Sequence, residues 1–253
     1  CHFDMEGGGH FTALPDQLQT IVGLLKQNPL DRRIVLTMWD PVADLGRDKK
    51  DIPCNTHCYV RIRPADMELK SVLDLTVMCR SNDIIWGAYG ANAVHFSVLQ
   101  EYLAAKVGVG VGVLYQLSNN FHAYRDVFDR CISGLKSPCV DYSMEHVRPL
   151  PLVTHPDCFD DELSELFARE WAPMNCRNTF LGQVAQPMMA ANGARRVGDY
   201  EEAYDQLNAM PYCDWAAAGL RWLQRRNPGG STRQEELGSE QDAGGRDSLQ
   251  DGV

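Results

Sequence analysis

With 253 residues, 44% of them hydrophobic and 23% charged, the sequence has the make-up of an ordinary globular protein with room for one large domain or two small ones. Its net charge of −10 argues against a general nucleic-acid binder, which needs a basic face, and no apolar run approaches the ~18 residues that a membrane helix requires. The nine cysteines are odd in number, sparse and accompanied by no secretory signal, so free thiols in a reducing cytoplasm are expected.

After a Gly-rich opening, LPDQLQTIVGLLKQNP puts Leu18, Ile21, Val22, Leu24 and Leu25 on one helical face, and Pro29 ends the helix. RRIVLTMW, residues 32–39, is rich in β-branched and aromatic residues and is expected as a strand. WDPVADLGRDKKDIP reads as a polar loop that delivers the chain to Cys54. HCYVRIR and SVLDLTVMCRS follow as strands. In the second, Leu73, Leu75, Val77 and Cys79 alternate with Asp74, Thr76 and Met78, the period of a sheet with one buried face. NAVHFSVLQEYLAAKVG is expected as a helix offering Val94, Leu99 and Leu103 for burial. VGVGVGVLYQL lacks a P-loop lysine and reads as a glycine-punctuated turn leading into a strand. From about residue 159 the pattern becomes helical, in DDELSELFAREW, RNTFLGQVAQPMMAAN, GDYEEAYDQLNAM and DWAAAGLRWLQRR, with breaks expected at Pro173, Pro187, Gly193 and Pro211 and with Trp171, Trp215 and Trp222 as core residues. The last segment, from Asn227, has six acidic and two basic residues and few large apolar ones, the composition of a solvated, disordered tail.

From the residues alone, three readings of Cys54 stay open. It could be a nucleophile, a metal ligand with His57 and Cys58, or a small core residue. No second cluster with ligand spacing lies near it, so no metal site is assigned. Arg32–Arg33 and Arg80–Ser81 could pair with acids at the surface or donate forked hydrogen bonds to a phosphate.

The order DQL, NPLDRRIVLTMWD, IPC, CRSNDIIWGAYGANAVHFSVLQEYLA and LSNNFHAY over residues 16–124 resembles the thymidylate synthase family, which includes phage-type deoxyuridylate and deoxycytidylate hydroxymethylases. The resemblance implies an α/β, thymidylate synthase-like fold with a large bent sheet, here joined by a helical C-terminal region, and homodimers packed sheet to sheet. It divides the chain into a catalytic core at 1–157 with part of the family's N-terminal portion missing, a helical region at 158–226 and the acidic tail at 227–253. It makes Cys54 the nucleophile, since Pro53-Cys54 matches the motif. A thiolate added to C6 of a pyrimidine turns C5 into a carbon nucleophile and leaves later by elimination. A guanidinium nearby, such as that of Arg80, favours the thiolate form. Arg80 and Ser81 match the phosphate-binding pair, and Arg32 and Arg33 match arginines that reach across the dimer interface to the partner's phosphate. Asn92 resembles the asparagine that hydrogen-bonds the pyrimidine edge. His122 and Tyr124 match the pair on the sugar 3′-hydroxyl, and Asp83 matches the RSxD aspartate.

Several residues depart from the family pattern. Asn55 stands where the family has histidine, WGAYGAN carries one residue more between Gly87 and Asn92, and Asn120 replaces an aspartate that contacts folate. The implied activity is one-carbon transfer from 5,10-methylenetetrahydrofolate to C5 of a deoxypyrimidine monophosphate, dUMP ahead of dCMP, giving dTMP or the 5-hydroxymethyl nucleotide. The departures lean towards hydroxymethyl. No nucleic acid or membrane partner is expected, and the location is the cytoplasm, that of the host if the protein is viral. The alternatives are a non-catalytic nucleotide-binding homologue and a metal-binding module.

Overall fold

The first helix begins where the sequence supplies a cap. In this computed structural model, which describes residues 16–46, 52–64, 71–134, 149–170 and 172–227, the Asp16 carboxylate accepts the N–H groups of Leu18 (2.9 Å) and Gln19 (3.2 Å) ahead of α1 (Gln17–Gln27). The buried face of α1 is narrower than expected: Ile21 and Leu25 are inside, while Leu24 is exposed. Gln17 ties the helix to the sheet, donating to the Thr37 carbonyl (3.0 Å) and accepting the Thr37 N–H (2.9 Å).

The expected strand at 32–39 is cut to β1 (Val35–Thr37). Its pairing ends where the N–H groups of Met38 and Trp39 both turn onto the Thr56 carbonyl, and at its other end Arg32 and Arg33 precede the strand and do not begin it. After the short α2 (Pro41–Asp44) come β2 (Asn55–Pro64) and β3 (Ser71–Cys79), then β4 (Asn82–Asp83), a wide π-type turn π1 (Ile84–Ala91), α3 (Asn92–Val107), β5 (Gly110–Ser118), β6 (Phe121–His122) and α4 (Arg125–Gly134). The main sheet has the order β1-β2-β3-β5. Its first two pairs are antiparallel, and β5 lies parallel to β3 after the α3 crossover. β4 and β6 form a separate parallel pair.

The alternation in β3 holds. Leu73, Leu75 and Val77 are all 0% exposed and join Ile21, Leu25, Phe96 and Leu103 in one core. Each such side chain contributes roughly 1.5–3 kcal/mol by its removal from water. On α3, Val94 is exposed, against expectation, and Gln100 takes a core position by donating to the Leu73 carbonyl at 2.8 Å. Asp74, expected on the outer face, is also buried. Its carboxylate accepts Arg63 Nε (2.6 Å) and the Val113 N–H (2.8 Å), at a register shift between β3 and β5. The glycine-valine run supplies this irregularity. Gly108, with φ 87°, closes α3 through N–H bonds to the carbonyls of Ala104 and Ala105. Gly112 lies where a β-carbon would overlap the Asp74 carboxylate and come within 2.8 Å of the Leu73 carbonyl oxygen. The glycines are thus a turn and a bulge, and the bulge bends β5. On the outer face, Val35, Tyr59, Thr76 and Tyr115 share one register row, and Val35, Tyr59 and Tyr115 are exposed.

The chain separates into two compact units, Cys1–Ser137 and Pro138–Val253. The second contains α5 (Phe159–Ala168), a π-turn π2 (Leu181–Ala185), α6 (Gln186–Arg196), α7 (Tyr200–Asn208) and α8 (Asp214–Gln224) around Leu166, Val184, Ala203, Leu207 and Leu223. Pro187 and Gly193 do not break this region. Pro187 sits at the junction where π2 runs directly into α6, and Gly193 stays inside the helix. Trp215 is 37% exposed and meets Phe180 edge-on, and Trp222 lies beneath the guanidiniums of Arg195 and Arg226, so neither is a core residue of the expected kind. Trp171, the Gly-rich opening and the acidic tail from Pro228 lie outside the described residues. Among the described residues no helix is long and apolar enough to cross a membrane, and no group of three or more His, Cys, Asp or Glu could hold a metal ion.

Candidate active site

Cys54 is exposed, one residue before β2. Its loop is held by Arg80, the residue that follows β3. The Arg80 backbone N–H donates to the Cys54 carbonyl (2.9 Å), its Nε to the Pro53 carbonyl (2.9 Å) and an Nη to the Ile52 carbonyl (2.9 Å). One arginine therefore fastens three consecutive carbonyls, and its guanidinium still has N–H groups for an anion. The other sulfurs nearby are of a different kind. Burial pushes the Cys58 thiol up to about 12, with the neighbouring Cys79 adding to the effect. Burial also raises Cys79, against a hydrogen bond with Ser118. Both are inert thiols at neutral pH, and Cys79 Sγ–H donates to Asn55 Oδ1 at 3.1 Å.

Asn92, at the start of α3, is half-buried within a set of amides. Its Nδ2 donates to Asn82 Oδ1 (3.0 Å), and its Oδ1 accepts from Asn55 Nδ2 (3.2 Å). π1 brings it there. The Asn92 N–H bonds the Gly87 carbonyl five residues back, so the additional residue between Gly87 and Asn92 is taken up in the wider turn. Two glycines allow this packing. A β-carbon on Gly87 would overlap Asn82 Oδ1, and one on Gly90 would sit 2.5 Å from the Ile85 carbonyl oxygen.

Asp83 is buried and plays a local part. Its Oδ1 caps π1 by accepting the N–H groups of Ile85 (2.9 Å) and Trp86 (2.6 Å), and its Oδ2 accepts the Tyr124 N–H (3.3 Å). That last bond fixes the loop carrying His122 and Tyr124, whose rings meet edge-on with centroids 5.4 Å apart. Asn120 Oδ1 takes the ring N–H of His122 Nδ1 at 3.2 Å, and the Asn120 carbonyl accepts the Asn82 N–H at 2.8 Å. Ser81 lies half-buried between Arg80 and Asn82.

Cys54, Arg80, Ser81, Asp83, Asn92, Asn120, His122 and Tyr124 are thus joined, through backbone and side-chain bonds, at one end of the sheet. Arg32 and Arg33 stand apart. Both are exposed ahead of β1, and Arg33 holds Asp31 through bonds of 3.0 and 2.8 Å, which keep the Asp31 carboxyl at about 2. Sequence reasoning missed Asn55, Asn82, Gln116 and Ser118. Asn82 is 2% exposed and donates to Ser118 Oγ (3.0 Å) and Gln116 Oε1 (3.5 Å). The one signal was Asn55, noticed as a departure and not as a contact.

The thymidylate synthase family model matches residues 7–145. A deoxyuridylate hydroxymethyltransferase of Pseudomonas phage M6 is 41% identical over 226 residues, which cover 83% of this chain and 62% of that protein. A deoxyuridylate hydroxymethyltransferase of Bacillus phage SP01 is 27% identical over 247 residues, covering 84% of this chain and 63% of the phage protein. A putative thymidylate synthase of Methanosarcina mazei is 32% identical over 123 residues, 47% of this chain and 52% of its own length. Among solved structures, thermostable thymidylate synthase A from Bacillus subtilis superposes on 57% of this chain and 48% of its own with a TM-score of 0.45 at 23% identity. The chain therefore spans less than two thirds of the length of either phage relative. The family model covers more than half of its residues, and the chain belongs to the thymidylate synthase family.

Proposed function

We propose that this chain carries the nucleotide site of a one-carbon transferase acting at C5 of dUMP, with the 5-hydroxymethyl nucleotide as product. The observation that carries the reading is the exposed Cys54, at the end of a loop whose carbonyls are fastened by Arg80. In this reading Cys54 Sγ forms a bond to C6, and the C5–C6 electron pair moves to C5 and O4. C5 then bonds the one-carbon unit, whose bond to its donor nitrogen breaks to release tetrahydrofolate, and water adds to that carbon to supply the hydroxyl. Loss of the C5 proton and elimination of the thiolate restore the ring and free the cysteine. Asn92 binds the pyrimidine edge, His122 and Tyr124 the sugar hydroxyl, and Arg80 with Ser81 the phosphate.

Asn120 is exposed, with its side-chain Oδ1 engaged by His122 and its Nδ2 N–H groups left to donate, which fits a pterin edge carrying a carbonyl oxygen and ring nitrogens. There, 5,10-methylenetetrahydrofolate would supply a one-carbon unit at the oxidation level of formaldehyde. The exposed row of Val35, Tyr59 and Tyr115 suits a sheet-to-sheet homodimer, with Arg32 and Arg33 serving the partner's phosphate. The names of the two phage relatives support the hydroxymethyl product, and their phage origin suits a place in the host cytoplasm. dTMP, formed by hydride reduction, is the second reading, supported by the name of the Methanosarcina relative.

The test is to incubate the protein with dUMP or dCMP and methylenetetrahydrofolate and weigh the nucleotide. A hydroxymethyl group on dUMP is expected. A methyl group would establish the synthase reaction instead. No product from either nucleotide would favour a non-catalytic nucleotide-binding homologue.

A further inference from the structure

The turn that carries the chain from α1 to β1 is built by two side chains, each bonding backbone two residues further on. Asn28 Oδ1 accepts the Leu30 N–H (3.2 Å), the Asp31 N–H donates to the Asn28 carbonyl (3.1 Å), and Asp31 Oδ1 accepts the Arg33 N–H (2.9 Å). The same carboxylate then takes the arginine side chain, with Nε on Oδ1 at 3.0 Å and an Nη on Oδ2 at 2.8 Å. Both oxygens of Asp31 are thus spent on one residue. The Asp31 side chain is 5% exposed, against 85% for that of Arg33, so the acid is enclosed in the turn while the guanidinium stands in water. An ordinary surface pair exposes both partners and leaves each free to swing away. Here the acid is fixed, and the arginine is tied to it along one edge.

Arg32 is different. It is exposed, and among the described residues it makes no ion pair and no side-chain hydrogen bond. The hydrogen bonds of Arg33 do most to hold the Asp31 carboxyl at about 2, and Arg32, acting only through space, does least. Two consecutive arginines therefore amount to one free charge and one neutralised pair. The pair keeps its geometry, because the far N–H groups of Arg33 are still able to donate to an oxyanion. A phosphate dianion drawn to them also approaches the Asp31 carboxylate, and the like charges oppose it. Arg33 lies two residues before Val35, in the exposed row that suits the dimer contact.

We propose, resting on the reading that these arginines serve a nucleotide phosphate across a homodimer, that Asp31 tempers that phosphate subsite. It fixes Arg33 as an oriented but neutralised donor, leaves Arg32 to supply the attraction, and so keeps the bound nucleotide releasable. Asp31 is a positioning residue, acting on the phosphate through Arg33 and by its own charge without touching the nucleotide.

The experiment measures the dUMP Kd by calorimetry at about pH 8, where a phosphate monoester is a dianion, on the full 253-residue chain and on Asp31→Asn, Asp31→Ser and Arg32→Ala. Asparagine keeps an Oδ1 for the Arg33 N–H and removes the charge. Asp31→Asn should therefore tighten dUMP roughly three- to tenfold, a gain that shrinks as salt rises from about 50 mM to about 500 mM. Inorganic phosphate, read as a competitor of dUMP, should gain by the same factor, because it fills the phosphate subsite and nothing else. Arg32→Ala should weaken dUMP roughly tenfold. Tightening of dUMP without tightening of phosphate would assign the effect to the base or sugar and overturn the inference. An unchanged or weakened dUMP Kd in Asp31→Asn, the outcome of a purely structural turn, overturns it as well. Should Asp31→Asn not fold, Asp31→Ser, whose hydroxyl can accept the same turn N–H, must show the gain in its place. An unchanged Kd in Arg32→Ala refutes the underlying reading, that these arginines serve a phosphate, whatever Asp31 does.

Discussion

Replacing Arg80 separates two jobs that the sequence alone would merge, holding the cysteine loop and binding phosphate. Arg80→Met keeps a stem of similar length but loses both guanidinium bonds, to the carbonyls of Ile52 and Pro53 at 2.9 Å each. The backbone bond to the Cys54 carbonyl is common to any residue at this position. Hydrogen bonds from a charged donor are worth about 1.5–3 kcal/mol when shielded. Arg80 is exposed, and screening brings each to about 0.5–1 kcal/mol. The loop should therefore lose about 1–2 kcal/mol of positioning, roughly a 5- to 30-fold effect. If the loop must be in place for Cys54 to reach C6, the loss falls on kcat in steady-state assays with dUMP. Arg80→Lys has one compact head that can satisfy one carbonyl, so it should recover about half of the loss on a logarithmic scale. A large rise in KM with kcat unchanged within about twofold would refute the loop-clamp argument and leave Arg80 as a phosphate ligand alone.

Three further outcomes are expected. Cys54→Ser should lower turnover by roughly 10⁴-fold or more while dUMP binding, read by calorimetry, changes only a few-fold; retained turnover would remove the nucleophile. Gly112→Ala forces a β-carbon against the Asp74 carboxylate and the Leu73 carbonyl and should cost about 2–4 kcal/mol in urea denaturation. An unchanged midpoint would mean that the bulge is not held by that contact. The Cys58 thiol is raised in the folded state to about 12 from an ordinary 9, so its contribution to stability is complete below pH 9 and is lost as pH rises towards 12. Stability should fall there by up to ~1.4 kcal/mol per pH unit from this group, and Cys58→Val should flatten that limb of the stability–pH curve.

Local pattern was the readable part of the fold. The alternation in SVLDLTVMC gave β3 its buried face correctly, because a period of two is imposed by the strand itself. Asp74 defeated the same rule, since its burial depends on Arg63 and on the Val113 N–H, 39 residues ahead. The site divided in the same way. Motif order singled out Cys54, Arg80 and Asn92, which the fold gathers at one end of the sheet, but Gln116 and Ser118 meet Asn82 across 34 and 36 residues, and nothing in their own surroundings marks them. The short β1 could not be read from RRIVLTMW either, because its end is set by Thr56 on the neighbouring strand. Trp222 looked like a core residue by type, yet its ring is covered by two guanidiniums that the helix pattern does not reveal.

The wide turn between Asp83 and α3 also bears on how this chain carries a change in length. Adding one residue to a regular helix rotates everything after it by about 100°. Such a rotation ahead of α3 would turn Phe96 and Gln100 away from the core and set His95 and Leu99 in their places. In π1 the extra residue widens a single loop of the backbone, and Asn92 starts the next helix in phase. The insertion is absorbed where it occurs, and the sixteen residues of α3 keep their angular setting against the sheet.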